Sequence, residues 1–197
     1  MKIVKYKRSF SLLEVVLAVI VGSFVITGLI QFFNIGINVR SLYINNKVIL
    51  QQARLIENFL YSGLGNIPAP FWEYPPLAEA KRVEFVDSRM FRYRGFNTNY
   101  WYYVYIVGAS YPGGYTGILY VRGRRRVGWV WIWGPTYPIG CIPSSNYRIA
   151  NYNFTVLNNR GVYLRGTLFK DENLNGRLDQ QEPHIDFEFR VVGKSSD

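Results

Sequence analysis

The sequence predicts an α+β fold in which one long N-terminal helix packs on an antiparallel β-sheet head. Three observations predict it. Residues 10–33, FSLLEVVLAVIVGSFVITGLIQFF, form an apolar run of 24 residues whose only formal charge is Glu14. Residues 34–62 continue at helical spacing, with Val39, Leu42, Val48, Ile49, Leu55, Ile56, Phe59 and Leu60 as the recurring apolar positions. After a Pro- and Gly-rich connection at 63–81, the chain changes to short aromatic and β-branched runs divided by Gly, Pro and Asn.

The apolar run is long enough to cross a bilayer. At a rise of about 1.5 Å per residue it reaches ~36 Å, against a hydrocarbon core of ~30 Å. Of the formal net charge of +10, four positive charges, Lys2, Lys5, Lys7 and Arg8, precede it, whereas only Arg40 and Lys47 follow closely. That asymmetry predicts a cytoplasmic N-terminus and an exported head. Glu14 is the residue that needs explaining, because an ionisable group in an apolar span costs a few kcal/mol unless it is paired. Cleavage between Ser9 and Phe10 would create an α-amino group about one helical turn, ~6 Å, from the Glu14 carboxylate. A charge pair then becomes available within one chain or between neighbours. An uncleaved signal anchor, with Glu14 snorkelling to the interface, is the alternative.

The stretch KRS-FSLLEVVLAVIV resembles the leader of type IV pilins and pseudopilins: a short basic segment, a cut, a Phe, then a hydrophobic helix with Glu at its fifth position. QQARLIENFLYSGLG is similar to the helix end of the larger minor members of that family. The resemblance implies cleavage after Ser9 by a prepilin peptidase, methylation of Phe10, and pairing of Glu14 with the amine of an adjacent subunit. The family usually has Gly where this chain has Ser9. By the same resemblance the protein is a minor pilin or pseudopilin of the bacterial inner membrane, and its partners are other pilins or pseudopilins, met through the N-terminal helix. The filaments of that family are type IV pili or the pseudopili of type II secretion, and by resemblance they serve secretion, adhesion, twitching motility or DNA uptake, among which the sequence does not choose.

In the head, strands are predicted at 82–87, 101–107, 115–122, 127–133, 154–157, 162–169 and 185–192. The clearest local motif is DENLNGRLDQQE at 171–182, which has the spacing of a calcium-binding EF-hand loop. Asp171, Asn173, Asn175, Asp179 and Glu182 would bring oxygens to one point, Arg177 would add its backbone carbonyl, and Gly176 permits the turn. Strands rather than helices are predicted on both sides, so a calcium ion here would brace a hairpin. A polar turn without a metal is the alternative.

RGRRRVGWVWIWG at 122–134 sets Arg122, Arg124, Arg125 and Arg126 beside Trp129, Trp131 and Trp133. Two arrangements are open. Arg124, Arg125 and Arg126 can occupy a solvated hairpin turn, with the three Trp on one strand face in the core or at a subunit interface. Otherwise the patch binds DNA or another anionic polymer, with the protein acting as a membrane-anchored exported binding module.

The sequence predicts no catalytic function. His184 is the sole histidine, the carboxylates outside 171–182 form no evident acid/base pair, and neither a phosphate-binding loop nor a dinucleotide fingerprint occurs. Cys141, the single cysteine, excludes an internal disulfide and is expected to be a buried small residue.

Overall fold

The computed structural model describes residues 11–64, 74–95, 99–112, 114–141 and 143–193. One helix, α1 (Leu12–Ser62), is followed by a short 3-10 turn (Leu77–Glu79) and eight strands. The fold is therefore α+β, as the sequence predicts. The chain divides into two compact units between Ile44 and Asn45.

In the first unit the helix is apolar on every side from Leu12 to Phe33. Its large aliphatic and aromatic side chains, from Leu12 through Ile44, are all exposed. A helix apolar all round belongs in a lipid or protein interior rather than in water. The hydroxyls of Ser23 and Thr27 are satisfied within the helix: Ser23 Oγ donates to the Ile20 carbonyl at 2.7 Å and Thr27 Oγ1 to the Ser23 carbonyl at 2.8 Å. Such internal bonding lets the segment shed water without leaving polar groups unpaired. The length and composition are compatible with a single membrane span.

The second unit starts where one stripe of α1 becomes buried: Asn45, Ile49, Gln52, Ile56, Phe59 and Leu60. Steps of three and four keep these residues on one side, facing the sheet. Of the apolar positions expected on this seam, Ile49, Ile56, Phe59 and Leu60 lie in it and Val48 is half-buried, whereas Val39, Leu42 and Leu55 are exposed. Two positions of the seam are taken by the polar Asn45 and Gln52, which apolar periodicity does not reveal.

The strands are β1 (Arg82–Asp87), β2 (Met90–Arg94), β3 (Tyr100–Tyr111), β4 (Gly114–Val127), β5 (Val130–Ile139), β6 (Tyr147–Leu157), β7 (Gly161–Lys170) and β8 (His184–Val192). All pairings are antiparallel, in the order β1-β2-β3-β4-β6-β7-β8. The long strand β4 is shared. Its first part pairs with β6 through Tyr115 and Gly117, and its second part, from Leu119 onward, pairs with β5.

The inner face of this sheet meets the helix in one core. Phe91 and Tyr93 from β2, Tyr102, Val104 and Ile106 from β3, and Leu119 and Val121 from β4 join Ile49, Ile56, Phe59 and Leu60. The sheet coils enough for Phe85 and Phe91 to meet Phe154 of β6, with ring centroids 5.9 and 5.1 Å apart. Cys141 is buried, and burial pushes its thiol up to about 12, so it is an inert packing residue.

Candidate functional site

Ser9 and Phe10 lie outside the described residues. Glu14 is in the first turn of α1, where it makes a reciprocal cap. The Ser11 N–H donates to Glu14 Oε2 at 2.9 Å, and the Glu14 N–H donates to Ser11 Oγ at 3.2 Å. This is the S-x-x-E capping box, spelled out in the sequence as Ser11-Leu-Leu-Glu14, and it gives Glu14 a local task in starting the helix. It occupies one carboxylate oxygen.

The 171–182 loop joins β7 to β8, which are paired up to Phe169 and His184. It is anchored by the Asp171 N–H donating to the Asn146 carbonyl at 2.7 Å. Inside the loop, the side-chain oxygens turn back onto backbone N–H groups. Gly176 N–H donates to Asp171 Oδ2 at 3.0 Å, Asn175 N–H to Asn173 Oδ1 at 3.0 Å, and Arg177 N–H to Asn175 Oδ1 at 2.6 Å. Glu182 accepts from Glu172 N–H at 2.8 Å and from Asp179 N–H at 3.0 Å. Gly176 has φ +71°, as the turn demands, and Leu174 shares the left-handed region at φ 59°.

Two carboxylates of this loop are buried, Asp171 at 2% exposure and Glu182 at 6%. Asp171 Oδ1 has no hydrogen-bond partner. No cationic side chain forms a salt bridge with either among the described residues; Lys170 pairs with Glu172 instead, at 2.9 Å. An unpaired buried carboxylate oxygen is costly, and a hard cation is the partner such oxygens suit. The donor set thus fits calcium in residue type. The arrangement of Asp179 differs, because its Oδ2 accepts from the amides of Asn173 at 2.6 Å and Asn175 at 3.1 Å. Among the described residues, no three carboxylates converge on one point. The Arg177 side chain leaves the loop and lies over the Tyr111 ring, 5.1 Å from its centroid.

The arginine-rich segment corrects one expectation. Arg124, Arg125 and Arg126 do not form a hairpin turn; they belong to β4, and the turn is Gly128-Trp129, with Val127 opposite Val130. Gly128, at φ +60°, supplies the left-handed residue a two-residue turn needs. The tryptophans are not core residues either. Trp129 is in the turn and 92% exposed, and Trp131 and Trp133 are on the sheet face away from the helix.

Cross-strand register collects a basic and aromatic surface on that outer face. Arg122 is opposite Tyr103, Arg124 is opposite both Trp101 and Trp133, and Arg126 is opposite Trp131. The guanidinium of Arg122 lies 4.8 Å from the Trp133 centroid, and that of Arg124 lies 5.2 Å from Trp131 and 5.0 Å from Trp133. Arg92 and Arg94 lie 4.3 and 5.1 Å from Trp101. Arg125 is on the opposite face of β4, across from Tyr100 and Ile132.

No family model, curated protein or solved structure matches the chain.

Proposed function

We propose that the chain is a minor subunit of a type IV pilin-like or pseudopilin filament, held in the bacterial inner membrane by α1 before assembly. The observation that carries this reading is the stretch from Leu12 to Phe33, whose large apolar side chains are exposed on every side, with Glu14, in its first turn, as the one charged residue. Lipid satisfies such a surface before assembly, and the helices of neighbouring subunits satisfy it afterwards. In this reading a prepilin peptidase cuts between Ser9 and Phe10, the N-terminus faces the cytoplasm and the head is exported. Glu14 then pairs with the amine of a neighbouring Phe10. The role is structural and not catalytic.

The capping box supplies a discriminating test. Gln at the third helical position closes the same box, whereas Ala does not. In native cells, Glu14→Gln and Glu14→Ala should both insert in the membrane yet be depleted from sheared filaments more than tenfold, because both lack the charge. Incorporation of Glu14→Gln at the wild-type level, with only Glu14→Ala failing, would reduce Glu14 to a helix cap and overturn the reading.

We further propose that the β7–β8 loop takes up a structural calcium ion. Its support is the buried, unpartnered Asp171 Oδ1 beside the buried Glu182. Asp171, Asn173, Asn175, Asp179, Glu182 and the Arg177 carbonyl would hold the ion. Binding would neutralise the two buried carboxylates and brace the hairpin.

A further inference from the structure

We propose that the outer face of β2–β5 binds single-stranded nucleic acid, with arginines meeting phosphates and the exposed indoles stacking on bases. The proposal does not depend on filament assembly. Its first ground is charge. Among the described residues, the salt bridges on this face are those of Arg82 and Arg92 with Glu84. Among the described residues, Arg94, Arg122, Arg124 and Arg126 have no carboxylate within ion-pair distance, and the chain contains no Asp or Glu between Asp87 and Asp171. The face is a concentrated positive field in which Glu84 is the single acidic partner among the described residues, and a polyanion is its complement.

The second ground is preorganisation. The guanidinium planes lie on indole rings, and backbone carbonyls fix two of them: Arg122 Nε donates to Gly134 O at 3.0 Å and Arg126 Nε to Gly128 O at 3.1 Å. Side chains already held in place lose less entropy on meeting a ligand. Successive arginines of one strand face, Arg122, Arg124 and Arg126, are about 7 Å apart along β4, so they offer a row of charges rather than a point.

A ladder of stacked Arg and Trp can also serve only to roof a sheet. That role accounts for Trp101, Trp131 and Trp133. It does not account for Trp129, which is 92% exposed at the hairpin tip with Arg126 5.6 Å from its ring. An indole left in water beside a row of arginines is a stacking platform. Unpaired bases present faces to such a ring, and a duplex keeps its base faces internal, so the geometry favours a single strand.

The test uses the full chain in an uncharged detergent, with fluorescence anisotropy of a labelled oligothymidylate, a duplex of equal length, and heparin as competitor. The oligothymidylate should bind more tightly than the duplex, and log affinity should fall with log salt at a slope near −2, about −0.7 per phosphate for three arginines. Trp129→Ala should weaken binding about tenfold and leave that slope unchanged, as expected for one stacked base. Arg126→Gln should make the slope shallower by about 0.7. Both residues are exposed, and unchanged circular dichroism would show that the variants fold. Absence of oligothymidylate binding at low salt would overturn the proposal. So would equal affinity for duplex or heparin together with an inert Trp129→Ala, which would make the face a site for other polyanions.

Discussion

Truncating Ile56 to Ala should lower the stability of the head by about 3–4 kcal/mol, within the range for large-to-small changes at fully buried sites. Ile56 has 0% exposure and lies where α1 crosses the end of β5. The fit is close enough that a Cβ added to Gly140 would come within 2.7 Å of Ile56 Cγ1. Because Gly140 has no side chain to move into the vacated space, the cavity would stay largely open. Leu55, the adjacent residue, is 49% exposed, and Leu55→Ala should change stability by less than about 0.5 kcal/mol. Urea unfolding of the full chain in detergent, followed by tryptophan fluorescence, reads both. Equal effects from the two variants would mean that the helix does not dock through the 45–60 stripe.

The second large effect is expected from calcium. With free calcium at about 100 times its dissociation constant, the head should gain about 2.7 kcal/mol over the same protein in chelator. For a domain of this size that raises the melting temperature by roughly 5–10 °C. Asp171→Asn should reverse the order. It keeps an oxygen for the Gly176 N–H and removes the negative charge of the buried group, so in chelator the variant should melt above the wild type. In calcium it should melt below, having lost a ligand. Identical melting of the wild type with and without calcium would leave the loop a metal-free turn.

How legible these features were in the sequence depended on whether the decisive interaction was local. The apolar run, the helix beyond it and the two strands flanking the 171–182 loop follow from periodicity and length, and β1 agrees end to end. Interactions across the sheet were not legible. Strand β4 runs on through Arg124, Arg125 and Arg126, which read as turn residues until β5 places two indoles over Arg124 and the turn places Trp129 over Arg126. Strand β5 continues through Pro135 and Pro138, although proline normally ends a strand. Among the described residues it pairs only with β4, which leaves its other side an edge that needs no donor. Strand β6 starts at Tyr147, ahead of the strand predicted at 154–157, and runs through Asn151, which takes φ 52° at an irregularity in the ladder.

At the candidate sites the same division holds. The spacing of oxygens in the 171–182 loop was readable because a turn brings together residues close in sequence. The burial of Asp171 was not, because it depends on Asn146 and the strands beside it. The Glu14 cap was readable from Ser11 and Glu14 alone, yet an ionisable residue in an apolar span drew attention to intersubunit charge instead. The outer arginine face needed the register of four strands before Arg92, Arg122 and Arg124 could be seen to share it with Trp101 and Trp133.

The N-terminus of the mature chain decides whether the protein follows the pilin pathway. The protein would be recovered from its native membrane, and its intact mass and N-terminal sequence determined. The expected chain begins at N-methylated Phe10. A chain still beginning at Met1, in cells with an active prepilin peptidase, would contradict it and leave α1 as an ordinary anchor.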